Sequence, residues 1–280
     1  MPFSGVPAGI LSSLSFGAGD FAGAVAARRA GALAVVAGAH SIGLVALLVA
    51  AIVLRPPMPG LGSIGIGLAA GVAGAVGLAA LYRGMSLGSM GLVTALAGAG
   101  SLAIPLVAGV VLGAVIGPVQ LIGVACAAAA AVAGSSASRS EVGRLALLLA
   151  ALAALAFGTW YVLIDLAARG GDPLWALVFS RGASSLLTAV AAIGRVDRGR
   201  FPARLVAVAG LFDVGGNAFY VIACESLPVG LAAALVGMYP VVTMILARVI
   251  LGERLPRLGQ LGVGLALLGV VLISVGAPSQ

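Results

Sequence analysis

Apolar stretches of about 18 to 23 residues, unbroken by charge, follow one another along almost the whole of this chain. Wound as a helix at 1.5 Å per residue, one such stretch crosses roughly 30 Å of hydrocarbon, whereas a barrel strand needs about half as many residues. The runs therefore predict membrane-spanning α-helices. A soluble alternative fails on composition, because 62% of residues are hydrophobic, 8% are charged and the mean hydropathy is +1.23. That leaves too little polar surface to cover a globule. Breaks of charge or of Gly, Pro and Ser divide the chain into about ten spans: 5–27, 33–54, 62–82, 92–112, 117–134, 144–167, 173–193, 203–222, 231–251 and 258–276. The first run lacks a basic flank before it and is as long as the later ones, so it reads as a span rather than a cleavable signal.

The chain also repeats itself. Phe16-Gly17 is followed by Ala27-Arg28 as Phe157-Gly158 is by Ala168-Arg169, at an offset of 141 (157 − 16). The same offset lays Ala50-Ala51-Ile52 on Ala191-Ala192-Ile193 and His40 on Arg181; later it drifts to 139, where Leu112-Gly113 meets Leu251-Gly252 and Gly123 meets Gly262. Residues 1–134 and 144–280 are thus expected to be two five-helix units joined by a linker at 135–143, rich in serine. Five spans is an odd number, so the second unit enters the bilayer in the opposite sense. The expected fold is an all-α integral membrane protein of about ten transmembrane helices in two inverted five-helix repeats. Glycine pairs such as Gly19/Gly23, Gly67/Gly71 and Gly109/Gly113 place small faces one turn apart for close helix approach.

The net charge of +7 rests on fifteen basic residues, all arginine, none interleaved with aromatics as on a nucleic-acid surface. With Arg181 set aside as lying inside a span, twelve arginines fall to the odd-numbered loops and two, Arg55 and Arg169, to the even-numbered ones, which by the positive-inside rule places both termini outside the cytoplasm. Cys126 and Cys224 stand in separate apolar runs and read as small core residues. No spacing of ligands suggests a metal, and no motif calls for a cofactor.

Ionisable side chains inside hydrocarbon cost a few kcal/mol each, so they need a partner or a wet cavity. Asp20, His40, Arg181 and Asp213 are the candidates. Counted from the loop joining the first two spans, Asp20 and His40 lie at matched depth and are expected to meet, as a pair that binds and releases a proton. Their repeat partners Tyr161 and Arg181 approach the midplane from the other side, with Arg181 at the depth of Asp213 and Asn217. Trp160, Tyr161 and Tyr239 are candidate pocket walls, while Trp175 reads as an interfacial belt residue. Asp165 and Glu225 stand nearer span ends, where snorkelling or capping accounts for them. Tyr239-Pro240 within span 9 predicts a kink that opens backbone carbonyls to a cavity, and Pro105 breaks span 4 in a similar way. Self-neutralising pairs that merely lock helices remain the structural alternative for all four ionisable residues.

At several of these residues the chain resembles the drug/metabolite transporter superfamily, in its EamA-type branch of ten spans. Phe157-Gly158-Thr159-Trp160 is similar to that branch's small-aromatic opening, and Phe179-Ser180-Arg181 to its aromatic-x-Arg signature. Met238-Tyr239-Pro240-Val241-Val242, followed by Leu251-Gly252-Glu253-Arg254-Leu255 and Gln260-Leu261-Gly262, resembles its most recognisable segment. The first half departs from the pattern: His40 replaces the arginine, Ser101 stands where Pro240 predicts a proline, and Ala114 replaces Glu253. The resemblance implies a multi-pass protein of the bacterial inner membrane, a monomer or homodimer, exporting small metabolites such as amino acids under a proton or substrate gradient. It also implies cytoplasmic termini, against the arginine count.

The expected function is therefore secondary transport by alternating access around a midplane cavity. Its partners are a small-molecule substrate, the lipid bilayer and a proton as coupling ion, with no nucleic acid, no metal and no catalytic residues. Arg181 would hold a carboxylate, Asp20 and Asp213 an amine, and the aromatics an apolar side chain, which together suit an amino acid. An intramembrane enzyme and a non-transporting scaffold or sensor are the alternatives; no Walker A, HExxH or Gly-x-Ser-x-Gly motif anchors ATP-driven or hydrolytic chemistry.

Overall fold

The computed structural model describes residues 5–101, 143–194, 201–224, 235–254 and 257–275, with 104, 117–119, 121–123, 125–126 and 129 besides. Among these residues the chain is helical, with turns and no strand. The elements are α1 (Gly5–Ala30), α2 (Ala32–Leu54), α3 (Leu61–Leu87), α4 (Met90–Ser101), α5 (Arg144–Arg169), α6 (Pro173–Ala192), α7 (Ala203–Cys224), α8 (Tyr239–Leu251) and α9 (Arg257–Val275). Five of them, α1, α2, α3, α5 and α6, are long and apolar enough to cross a membrane. The linker at 135–143 except Gly143, most of the expected fifth span, Pro105 and Glu225 lie outside the described residues.

Two ends differ from expectation. Span 3 was expected to stop at Tyr82, before Arg83, but α3 continues to Leu87 and closes at Gly88, whose N–H bonds to Gly84 O at 3.0 Å. An arginine near a membrane face extends its charge outward without ending the helix, and Arg83 is exposed. Nor does Pro240 kink a continuous span. Helical turn at Leu235–Val236 gives way to a turn at Gly237–Met238, and α8 starts afresh at Tyr239 with Pro240 in its first turn. There a proline lacks only an N–H that would have no intrahelical partner anyway.

The buried interior is dominated by alanine, glycine and serine, with Tyr82, Leu81, Met85, Met90 and His40 among the largest enclosed side chains. Small residues let helices approach until backbones touch, which is how packing is gained where lipid is as apolar as leucine. α1 packs most extensively on α7, α3 on α5, and α2 on α6; α4 sits against α5, α8 and α9, and α8 also reaches α1. Side-chain staples run between these helices: Ser12 Oγ donates to Gly216 O at 2.7 Å, and Thr243 Oγ1 to Gly17 O at 3.0 Å.

Close approaches come in matched pairs. A Cβ on Gly71 would press on the Ser180 carbonyl and fall 2.7 Å from Ala183 Cβ; one on Gly210 would fall 2.6 Å from Ala39 O and 3.1 Å from Ile42 Cβ. Gly77 lies under the Phe157 ring as Gly216 lies under Phe16, and Gly74 meets Trp160 where Asp213 meets Gly19. In each pair the glycine or aspartate of the third helix recurs at 139 (210 − 71, 216 − 77, 213 − 74), and its neighbour at 141 (180 − 39, 157 − 16, 160 − 19).

A further contact joins the loop after α8 to the start of α4. Glu253, in the turn after α8, accepts hydrogen bonds from the Ser89 hydroxyl and from Met90 N at 3.2 Å, while Ser89 Oγ accepts from Leu92 N at 3.3 Å. These acceptors cap the N-terminus of α4, whose first N–H groups have no intrahelical partner. The equivalent residue in the other half, Ala114, carries no acceptor. Glu253→Ala is expected to lower stability by about 1–2 kcal/mol. A thermal denaturation series in detergent that shows Glu253→Ala and Glu253→Gln both unchanged would remove the cap from this account.

Candidate functional site

Asp20, His40, Arg181 and Asp213 each lie close to the midpoint of their helix. Arg181 is the hub. Its guanidinium is enclosed, with Nη2 2.7 Å from Asp213 Oδ2 on α7 and Nη1 2.8 Å from His40 Nε2 on α2. A guanidinium only donates, so His40 Nε2 must accept. The imidazole is thereby neutral with its proton on Nδ1, which donates to Ser184 Oγ. Ser184 sits one turn beyond Arg181 on α6, so both imidazole partners come from one helix face. On the preceding residue, Ser180 Oγ accepts from the Trp160 indole at 3.1 Å. Asn217 stays within α7, donating from Nδ2 to Asp213 O at 2.8 Å. Helices α2, α5 and α7 are thus all fastened to the Ser180–Ser184 stretch of α6.

Asp20 is placed differently. It was expected to meet His40, but both imidazole nitrogens are taken by α6, and among the described residues nothing forms an ion pair or hydrogen bond with the Asp20 carboxylate. Counting residues from a shared loop fixes height along two helices and says nothing of the direction each side chain takes; α2 turns His40 toward α6. Tyr82 of α3 packs against Gly23, three residues on from Asp20 in α1. Tyr161 is exposed over 40% of its surface, and Asp20, Trp160 and Tyr239 are half-buried. The Trp160 and Tyr161 rings meet edge to face at 5.3 Å.

Sequence reasoning missed Tyr82, Ser180 and Ser184. Tyr82 looked like the terminus of a span beside Arg83, and it is among the most enclosed of the described residues. Ser184 had a signal in its position three residues after Arg181, on the same helix face. Asp165 pairs with Arg169 at 2.8 Å on an exposed surface, a contact worth little. Trp175 donates its indole N–H to Pro56 O at 3.2 Å and stacks on Phe179, which ties the start of α6 to the turn before α3. Among the described residues no three His, Cys, Asp or Glu side chains are grouped to hold a metal.

Comparison with known proteins adds three findings. The model of the EamA-like transporter family matches residues 144–275. A solved crystal structure of another protein is similar over 98% of this chain and 99% of its own, with a TM-score of 0.63 at 18% identity, a likeness of fold alone. No curated protein matches the sequence.

Proposed function

We propose that this multi-pass membrane protein is a secondary exporter of small metabolites, on the premise of the match between residues 144–275 and the EamA-like transporter family of the drug/metabolite transporter superfamily. It works by alternating access between the two halves, in the inner membrane of a bacterium. The observation that carries the reading is the contact of His40 with Arg181. The two are repeat equivalents (181 − 40 = 141) and lie 2.8 Å apart. Residues exchanged by a two-fold operation touch each other only on its axis. The matched glycine contacts support the same operation, as do the reciprocal packings of α1 on α7 and α3 on α5. With five spans in each half, such an axis lies in the membrane plane, which is the arrangement that lets one half take up the conformation of the other. The interrupted helix at Gly237–Met238, beside Tyr239, supplies the irregular backbone such sites use.

A proton is the coupling ion we assign, at Asp20. His40 is excluded from that role while its Nε2 accepts from a guanidinium, because a protonated ring would set two cations face to face. A thermal-shift screen of the purified protein against metabolites identifies substrate by mass action. With that substrate in proteoliposomes, Asp20→Asn is expected to abolish flux driven by a pH gradient. Unaltered pH-driven flux in that variant refutes the assignment, and no flux of any stabilising metabolite refutes the transporter.

A further inference from the structure

The largest continuous buried core is not spread evenly along the helices. It takes the last residues of α1, α3 and α8 and the first residues of α2, α5, α7 and α9, together with α4, and so fills one end of the bundle. Arg83, Arg144, Arg248 and Arg254 are exposed at that same end. Contacts that join α1 and α8 to α3 and α4 gather there. The Tyr82 ring covers Gly23, Arg28 Nη2 donates to Met85 O at 3.3 Å, and nearer the middle a Cβ on Gly98 would fall 2.9 Å from the Tyr239 hydroxyl. Toward the other end the described close approaches run differently: Gly9 of α1 meets Leu235 just before α8, Gly67 of α3 meets Phe179 of α6, and Gly170 after α5 meets Ser63 of α3.

Glu253 ties the two groups together at the rim of the packed end. From the turn after α8 its carboxylate oxygens accept from the Ser89 hydroxyl and from Met90 N at 3.2 Å, where the positive end of α4 begins. A cap serving α4 alone is already present, because Ser89 Oγ accepts from Leu92 N at 3.3 Å. The carboxylate is a second acceptor that arrives from 164 residues away. Arg248, Arg254 and Arg257 stand within five residues of it in the chain, yet among the described residues no ion pair takes it. Other partners are thus at hand, so leaving α4 would not leave the charge unpaired. A contact with two alternative sets of partners is the discrete, bistable kind on which switching motions depend.

We propose that Glu253 is the bolt of a gate at the arginine-rich end: it holds α8 to α4 while that end is shut, and it lets go of α4 for the end to open. This rests on the transporter reading and assigns to that cycle a contact it has to break.

Spin-label distances test it on the purified full-length protein in lipid nanodiscs, in a Cys126→Ala/Cys224→Ala background. Labels at Arg83→Cys and Arg248→Cys, exposed on α3 and α8, report the arginine-rich end; labels at Val6→Cys and Leu61→Cys, exposed at the starts of α1 and α3, report the opposite one. With Glu253 in place the first pair is expected to give one dominant distance. Glu253→Gln and Glu253→Ala should raise by about tenfold a population in which that distance is longer by about 5 Å. The second pair should shorten in step, since alternating access closes one end as the other opens. Ser89→Ala, which keeps the bond from Met90 N, should move both pairs in the same senses by less. A contact that is only a cap leaves both mean distances in place, and a loosened fold broadens both pairs without opposed movement; either result overturns the proposal. Flux of a metabolite extract into proteoliposomes is read separately: flux in the parent protein with unmoved distances sinks the bolt alone, and opposed movement without any flux sinks the transporter reading.

Discussion

Arg181→Ala is expected to abolish transport and to cost the folded protein about 3–5 kcal/mol, the usual penalty for leaving one member of a buried ion pair behind. The loss has two parts. Asp213 keeps a carboxylate whose counter-ion 2.7 Å away is gone, and His40 Nε2 loses the donor at 2.8 Å. Arg181→Lys should restore part of the stability and little of the flux, since an ammonium cannot hold two diverging acceptors in the plane of a fork. The double variant Arg181→Ala/Asp213→Ala removes the orphaned charge and should recover stability without recovering transport. Thermal denaturation in detergent and flux in proteoliposomes measure the two separately. A single alanine variant that keeps its denaturation midpoint would show that water already reaches the pair.

Leucine at Gly71 or at Gly210 should prevent the two halves from closing on each other. At both positions even a methyl group falls within 3 Å of a facing carbonyl oxygen, Ser180 O or Ala39 O, and a helix backbone cannot swing aside as a flexible side chain can. Alanine is expected to cost about 1–3 kcal/mol, and leucine more, from overpacking. Gly182 provides the contrast on the same helix as Ser180. Nothing lies within 4 Å of a Cβ there, so Gly182→Ala should be neutral or gain about 0.5–1 kcal/mol from helix propensity. Equal yields and equal denaturation midpoints for Gly71→Leu, Gly210→Leu and Gly182→Ala would show that the helices are farther apart than described.

Much of the architecture could be read before any coordinates, for a physical reason. Length and apolarity of a span are set by the hydrocarbon, so the starts of α1, α2, α3, α5, α6 and α7 fall within one residue of the sequence reading. The C-terminal end of α3 and the start of α8 were misjudged because charge and proline are ambiguous signals: Arg83 extends outward from a helix that continues, and Pro240 opens a helix instead of bending one. The site was legible by composition, since ionisable residues in apolar runs are few. Its pairings were not. Depth arithmetic compares neighbours joined by a loop, which is why it put Asp20 with His40, whereas His40 finds its partners 141 and 144 residues away. The repeat already held that information: a position aligned with another in the second half, and placed on the second helix of each, is a candidate to meet its own mate.

His40 against Arg181 also bears on descent. If the two-fold arrangement holds, a single five-helix ancestor pairing with a copy of itself would have set this position against its own duplicate. Arginine would then have faced arginine, and two like charges 4 Å apart repel by about 4 kcal/mol at an effective dielectric of 20. A self-paired site is thus barred from using a fixed charge at its centre. Joining the copies in one polypeptide lifts the bar, because the two codons drift separately: one half keeps a permanent cation, the other takes a neutral acceptor, and the pair becomes a directed hydrogen bond. On that arrangement, asymmetry at this position is open to two separately encoded halves and closed to a homodimer of a single gene.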